Sequence, residues 1–193
     1  RGRGLPLSSI KPIVGHSLGA IGAIEYAVRM QAHLTNNSWG GGQFSQALRD
    51  AIEAAGAAGQ LFVAAAGNSG LNSDLIPHYP ASFDLDNILS VANSTRNDVL
   101  SSSSTFGPIT VDLAAPGSTI LSTLPGNNYG NFSGTSMASP HVAGAASLIL
   151  SLEPAMPPVD VKNLLMTTVD TLKALSGRVA TGGRLNAFKA VRA

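Results

Sequence analysis

The run Leu61-Phe62-Val63-Ala64-Ala65-Ala66 constrains the fold more than any other stretch of this sequence. It has no polar position, so a strand formed here cannot have one face in water and is expected to be buried on both faces of a parallel sheet. An amphipathic segment, Phe44–Ala58, comes before it and ends at Gly59, and a strand is expected at Ala32–Ser38. Strand, helix and strand in this order predict a right-handed crossover in a parallel sheet.

The rest of the chain continues this alternation, which predicts an α/β fold with helices on both faces of a parallel sheet. Its last long helix, Met137–Leu152, is apolar nearly all round, which predicts that it is buried, with Pro140 in its first turn. The face of the Phe44–Ala58 helix that carries Phe44 is expected to be buried. The other expected elements are strands at Ser9–Val14, Ile88–Ala92 and Val111–Ala114, a helix at Leu18–Gln31, and polar loops at Gly67–Asp86 and Asn93–Gly107.

Composition removes several classes of function. The chain has 193 residues, enough for one domain or a large piece of one, and charged residues make up only 12% of it. A net charge of +1 without a run of Lys or Arg gives no basis for binding nucleic acid. The absence of cysteine excludes disulfides, thiolate chemistry and cysteine-bound zinc. No stretch reaches the ~18 consecutive apolar residues of a membrane span.

The segment Gly134-Thr135-Ser136-Met137-Ala138-Ser139-Pro140-His141 carries the most chemistry. It places a small hydroxyl side chain, that of Ser136, at the start of the apolar helix. Unpaired N–H groups and the helix dipole at such an end favour a developing negative charge. Ser136 is therefore a candidate nucleophile, and a simple N-cap serine is the alternative.

Asn68 follows the buried strand directly, in Ala64-Ala65-Ala66-Gly67-Asn68. At the carboxyl end of a strand its side-chain NH2 can be aimed at a reacting carbonyl oxygen and can complete a hole with the N–H of the nucleophile. Because Asn-Ser-Gly is also good turn chemistry, a plain turn residue is the alternative.

These two motifs, together with Asn36-Asn37-Ser38-Trp39-Gly40-Gly41-Gly42, resemble those of the subtilisin-like serine proteases, the subtilase family. The resemblance covers roughly residues 10–193 and implies a serine endopeptidase, with residues 1–193 as a single partial catalytic domain that carries the serine. It implies that Ser136 is the nucleophile and Asn68 the oxyanion donor. The Gly-rich segment 181–187 resembles a late turn of the family with a structural role.

The resemblance also implies where a polypeptide substrate binds. Peptides would add as a strand and place the residue before the scissile bond in a pocket. Residues 71–78, which include Asp74, are expected near the bottom of that pocket. The implied substrate-binding residues are Ser38, Trp39, Gly40, Ala64, Ala65, Ala66 and Gly67.

Two catalytic partners have no counterpart in the sequence. A serine hydroxyl needs a base, and the base needs an orienting carboxylate. In the chain order of subtilisin, Asp and His precede Ser. None of His16, His33, His78 and His141 fits the base role, and His141 is expected to be a core histidine. We therefore expect an upstream segment or a second chain to supply the Asp and His, and the chain alone to be inactive.

Two competing functions remain open. One is a non-catalytic protein: a truncated or pseudoenzyme chain that acts as a fragment or interaction module. The other is a lipase-like hydrolase, because Gly15-His16-Ser17-Leu18-Gly19 matches the G-x-S-x-G nucleophile elbow. Only about fourteen residues precede that elbow, whereas the lipase fold needs a sheet there, so a chance match is the favoured interpretation.

The family resemblance has two weaker implications. The loop around Tyr79-Pro80-Ala81, with Asp84 and Asp86, resembles a region where family members sometimes bind calcium through backbone carbonyls. A solvated acidic loop is the alternative. The chemistry itself requires no cofactor. The resemblance also implies a secreted or extracytoplasmic protein, whose signal peptide would lie upstream of residue 1.

Overall fold

The computed structural model describes residues 17–193. The expected strand at Ser9–Val14 and the residues Gly15 and His16 lie outside this range. The helices and strands, in chain order, are α1 (Ser17–Arg29), β1 (Leu34–Asn37), α2 (Gln46–Ala57), β2 (Leu61–Ala65), β3 (Ile88–Ser94), β4 (Leu113–Pro116), β5 (Ile120–Leu124), β6 (Asn128–Phe132), α3 (Thr135–Leu152), α4 (Pro158–Thr167), β7 (Asp170–Thr171), β8 (Gly183–Arg184) and α5 (Ala187–Arg192).

A six-stranded sheet in the order β1-β2-β3-β4-β8-β7 forms the centre of the molecule. The pairs β1–β2, β2–β3, β3–β4 and β4–β8 are parallel, and the pair β7–β8 is antiparallel. The hairpin β5–β6 forms a separate two-stranded sheet. The carboxyl ends of β1 and β2 lie side by side, because Asn37 is the register partner of Ala64.

The central strand β2 is buried along its whole length, as its apolar run predicts. Leu61 and Val63 face the side of the sheet that carries α3, α4 and α5. Phe62 and Ala64 face the other side, where they join Ile24 of α1 and Ile52 of α2 in one cluster. Two hydrophobic layers therefore hold the sheet, and the prediction of an α/β fold with helices on both faces is confirmed.

The predicted elements within residues 17–193 are present, with ends that differ by a few residues. Gly59 follows α2 with φ +86°, as expected for a residue after a helix end. The expectation that Phe44 lies in this helix on its buried face is wrong, because Ser45 caps α2 by accepting from the Leu48 N–H. Phe44 therefore precedes the helix and is exposed. Its ring still stacks edge-on against Tyr79 and Phe83.

The prediction that helix α3 is buried all round is wrong. α3 lies across the sheet with Ala138, Val142 and Ile149 in the core, whereas Leu148 is 53% and Leu152 59% exposed. Since the sheet covers only one side of the helix, the apolar residues on the far side face outward.

Within residues 17–193, no helix is both long enough and apolar enough to cross a bilayer.

Candidate active site

Ser136 lies in the first turn of α3 and is half-buried. The residue before the helix, Gly134, has φ +154°, and a Cβ placed there would come within 3.2 Å of the Asn68 side-chain oxygen. A residue with a side chain would be strained by this φ, and its Cβ would crowd Asn68, so glycine suits this position. The Ser136 N–H donates to none of residues 17–193, as expected for the first turn of a helix.

Asn68 is held in a defined orientation by the residue next to Ser136. Its Oδ1 accepts from the Thr135 N–H at 2.9 Å and from the Thr135 hydroxyl at 3.2 Å. The Thr135 hydroxyl in turn accepts from the Gly67 N–H at 3.1 Å. Because Oδ1 is occupied in this way, the side-chain NH2 of Asn68, an exposed residue, is left as a donor without a partner among residues 17–193.

Ser38, at the end of β1, forms a reciprocal pair with Ser136. The Ser136 hydroxyl donates to the Ser38 carbonyl at 3.1 Å, and the Ser38 hydroxyl donates to the Ser136 carbonyl at 2.8 Å. Pro140 lies one turn beyond Ser136, in the second turn of α3 rather than the expected first turn. Since proline has no N–H, the Ser136 carbonyl lacks its usual helical partner and accepts from Ser38 instead.

A polar side chain behind this pair ties β1 to α3. The amide of Asn36 donates to the Ser38 hydroxyl at 3.0 Å, and its oxygen accepts a short hydrogen bond from the buried Ser139 hydroxyl. The contacts of Asn36, Ser139 and Thr135 were not anticipated from the sequence. The sequence indicates these contacts only through polar residues that interrupt otherwise apolar segments, and folding brings those polar residues together.

The residues expected to bind substrate divide into two groups. Ser38, Trp39 and Gly40 form a segment that leaves the end of β1, and Gly67 belongs to the turn that leaves β2 beside Asn68. Ser38 hydrogen-bonds to Ser136, whereas Gly67 and Asn68 hydrogen-bond to Thr135, so both segments reach the start of α3. Ala64 and Ala65, by contrast, lie within β2 and are buried like Ala66, so their side chains pack in the core.

None of the three histidines within residues 17–193 hydrogen-bonds to the Ser136 hydroxyl, which donates to the Ser38 carbonyl. The expectation of a core histidine at position 141 is wrong: His141 is exposed on the outer side of α3, with Nδ1 2.8 Å from the Met137 carbonyl oxygen. His33 is exposed just before β1. His78 is half-buried between the two substrate segments, and burial lowers its pKa. Which group acts as the base for Ser136 stays a prediction.

Backbone hydrogen bonds, within the loop and to Gly41, hold the loop for which calcium is predicted. The carbonyl groups of His78, Tyr79 and Pro80 accept from the N–H groups of Ser82, Gly41 and Phe83. The nearby carboxylates, Asp84 and Asp86, are exposed. Calcium takes six to eight oxygen ligands, and each of these carbonyl oxygens keeps a second lone pair. Calcium binding at this loop stays a prediction.

The sequence profile of the Subtilase family matches residues 15–187 of this chain. The chain therefore belongs to the subtilase family, and it represents the later, serine-bearing part of the family's catalytic domain.

Individual relatives agree with this assignment. Thermitase from Thermoactinomyces vulgaris is 40% identical over 169 residues, which cover 88% of this chain and 57% of thermitase. Subtilisin DY from Bacillus licheniformis is 41% identical over 153 residues, 79% of this chain and 55% of that protein. The crystal structure of a cold-adapted subtilisin-like serine proteinase superimposes with a TM-score of 0.81 at 35% identity, covering 90% of this chain and 62% of that one. The chain thus spans little more than half the length of these relatives.

Proposed function

We propose that this chain is the nucleophile-bearing part of a serine endopeptidase. The observation that carries the proposal is the set of groups at the start of α3: the Ser136 hydroxyl, and two donors without a partner among residues 17–193, the Ser136 N–H and the NH2 of Asn68, whose oxygen is bound to Thr135. A nucleophile beside two fixed donors is the arrangement that acyl transfer requires.

In the proposed reaction the Ser136 oxygen attacks the carbonyl carbon of a peptide bond, and a general base takes the hydroxyl proton. The carbonyl oxygen becomes negatively charged and is stabilised by the Ser136 N–H and the Asn68 NH2. The C–N bond then breaks, the base returns its proton to the leaving amine, and Ser136 carries an ester. Water, deprotonated by the same base, hydrolyses the ester and restores the serine.

The base and its orienting Asp are proposed to come from an upstream segment or a second chain. Within residues 17–193 the Ser136 hydroxyl donates only to the Ser38 carbonyl, which is too weak a base to activate it. An incoming imidazole would compete with this carbonyl for the Ser136 proton. An extracytoplasmic site of action is part of the proposal and is compatible with the absence of cysteine.

A fluorophosphonate probe tests this division of labour, because it reacts rapidly only with a serine that has its base. We expect the 193-residue chain to be labelled slowly, and the full-length protein, with its own Asp and His, to be labelled rapidly at one site. Ser136→Ala should abolish labelling of the full-length protein.

Ser151→Ala is the matched control for the probe, since Ser151 is an exposed serine at the far end of the same helix and should leave labelling unchanged. Rapid stoichiometric labelling of Ser136 in the 193-residue chain would refute the need for an external base. A full-length protein that is not labelled would instead support the alternative, a non-catalytic interaction module.

A further inference from the structure

A cavity of about 320 Å³ lies where the loop after β3 meets Gly70 and the segment between β7 and β8. Its lining combines apolar and polar side chains, among them Val99, Leu100, Phe106, Ser101, Ser102 and Arg178. Ser136 and Asn68 do not line this cavity, so it is separate from the site of the proposed reaction.

Arg178 is the one charged residue among the described residues that line the cavity. Its Cζ lies 4.7 Å from the centroid of the Phe106 ring, a favourable contact between a cation and an aromatic face. The guanidinium forms no ion pair with any of residues 17–193. It is therefore held in the lining while its N–H groups remain available.

The carboxylates on neighbouring parts of the chain are bound to other groups. Asp98, which precedes the lining loop, forms an ion pair with Arg184. Asp74, which the sequence predicts near the bottom of the substrate pocket, accepts from the N–H and the hydroxyl of Thr110. Neither of them therefore neutralises the charge of Arg178.

Two serine hydroxyls add donors to the same cavity. The Ser101 hydroxyl oxygen is 3.4 Å from that of Ser103, a long contact, and the Ser102 hydroxyl makes no hydrogen bond within residues 17–193. Ser104 is different, because it is buried and its hydroxyl already has two main-chain partners. Ser101 and Ser102 are thus the hydroxyl groups that a ligand of the cavity could engage.

The main chain holds the cavity in shape without a ligand. The Gly70 N–H donates to the Ser103 carbonyl at 2.9 Å, and the Thr105 N–H donates to the Gly67 carbonyl at 2.9 Å. A Cβ placed on Gly70 would lie 2.9 Å from the Ser102 carbonyl oxygen, so the two segments are in close contact. Such a preformed cavity with an apolar wall and a few polar groups is typical of a small-molecule site.

We propose that this cavity binds a small carboxylate that carries an apolar group. The planar guanidinium of Arg178 can donate two parallel hydrogen bonds to a carboxylate, and Ser101 and Ser102 can donate to its remaining lone pairs. Val99 and Leu100 give the apolar group a surface to pack against. A free small molecule and the C-terminus of a polypeptide present this same chemistry.

Titration of the full-length protein with 4-fluorobenzoate, followed by fluorine NMR, tests the proposal. We expect saturable binding of 4-fluorobenzoate and much weaker binding of 4-fluorobenzamide, which has the same shape but no charge. Arg178→Met keeps an unbranched stem and loses the charge, so it should weaken binding of 4-fluorobenzoate by about 10-fold or more. Arg192→Met is the matched control, since Arg192 also lies over a ring, that of Phe188, but does not line the cavity.

A competition experiment in the Ser136→Ala background, where peptides are not hydrolysed, distinguishes the two sources of the carboxylate. Displacement of 4-fluorobenzoate by a peptide that ends in a Phe carboxylate, and not by its C-terminal amide, would assign the site to polypeptide C-termini. Displacement by benzoate alone would assign it to small free carboxylates. Absence of saturable binding, or equal binding by wild type and a folded Arg178→Met variant, would overturn the proposal. Circular dichroism checks the folding of each variant.

Discussion

Asn68 and Ser136 lie side by side but act at different moments of the proposed reaction, so their removal should have different consequences. Asn68→Ala deletes a donor that is used mainly when charge develops on the substrate oxygen. We expect kcat of the full-length protein to fall by about 10²–10³ with KM little changed, the loss that follows removal of one oxyanion-hole donor in subtilisin, a member of this family. Ser136→Ala deletes the nucleophile, so no acyl-enzyme can form.

Steady-state kinetics of the two variants is the measurement, with circular dichroism as the control for folding. Neither change removes core volume, because Asn68 is exposed and Ser136 is only half-buried. A folded Asn68→Ala variant with wild-type kcat would leave Asn68 as a turn residue. The matched variant Asn97→Ala removes another exposed loop asparagine, outside the site, and should keep full activity.

At the level of single residues, the sequence predicts reactive polar groups at the ends of recognisable helices and strands. It does not predict residues whose location depends on how distant segments pack against each other. Ser136 and Asn68 could be proposed from the sequence because a hydroxyl at a helix start and an amide at a strand end suit one reaction, and their roles stay predictions. The place of His78 depends on how a loop of irregular structure returns between two strand ends, which no periodicity encodes. The exposure of His141 depends on which side of α3 meets the sheet, and a helix with apolar residues all round does not reveal that side.

Among the secondary-structure elements, the short C-terminal ones are joined by hydrogen bonds to one carboxylate, that of Asp170. Asp170 of β7 accepts from Arg184 of β8 at 2.7 Å, and from Asn186 and Lys189 at the start of α5 at 2.9 Å. The hydrogen bonds from Lys189 and Asn186 lower the pKa of Asp170 to about 2. Because β7 and β8 have only two residues each, they have few backbone hydrogen bonds, and we expect these side-chain bonds to contribute to holding them together.

The lowered pKa predicts how stability depends on pH. The unfolded chain binds a proton at Asp170 more tightly than the folded chain does, so the contribution of Asp170 is present above its ordinary pKa of 3.8 and is lost as the pH falls towards 2. Asp170→Asn should therefore lower the urea midpoint at pH 6, and the difference from wild type should shrink at pH 2.5. Asp84→Asn, at an exposed aspartate, is the control and should change neither value.

The elements that the sequence did predict are those with a hydrophobic pattern, such as β2 and α2. The hairpin β5–β6 was missed because its strands are exposed or half-buried throughout and so lack a buried face. Its only signal is the turn Pro125-Gly126-Asn127, in which Gly126 and Asn127 have positive φ. The two-residue strands β7 and β8 form by pairing with residues distant in sequence, so a local hydrophobic pattern cannot predict them.

At the scale of the whole molecule, β1 is the outermost strand at one end of the described sheet. Among residues 17–193 it pairs only with β2, so its outer edge has no strand partner there. Ser38 follows this strand directly, and Asn68 occupies the β2 side of Ser136. A base that reaches the Ser136 hydroxyl must therefore approach from a side other than that of Asn68. The unpaired N–H and C=O groups along the outer edge of β1 can pair with a further strand.

This arrangement predicts that the segment supplying the base adds to the sheet at the outer edge of β1. Amide hydrogen exchange in Leu34–Asn37 should be fast at the outward N–H groups of the 193-residue chain and slow in the full-length protein, because pairing protects them. The interior strand Leu61–Ala65 is the internal control and should be protected in both. Equally fast exchange in an active full-length protein would mean that the base arrives without pairing to β1, by way of the loops that surround Ser136.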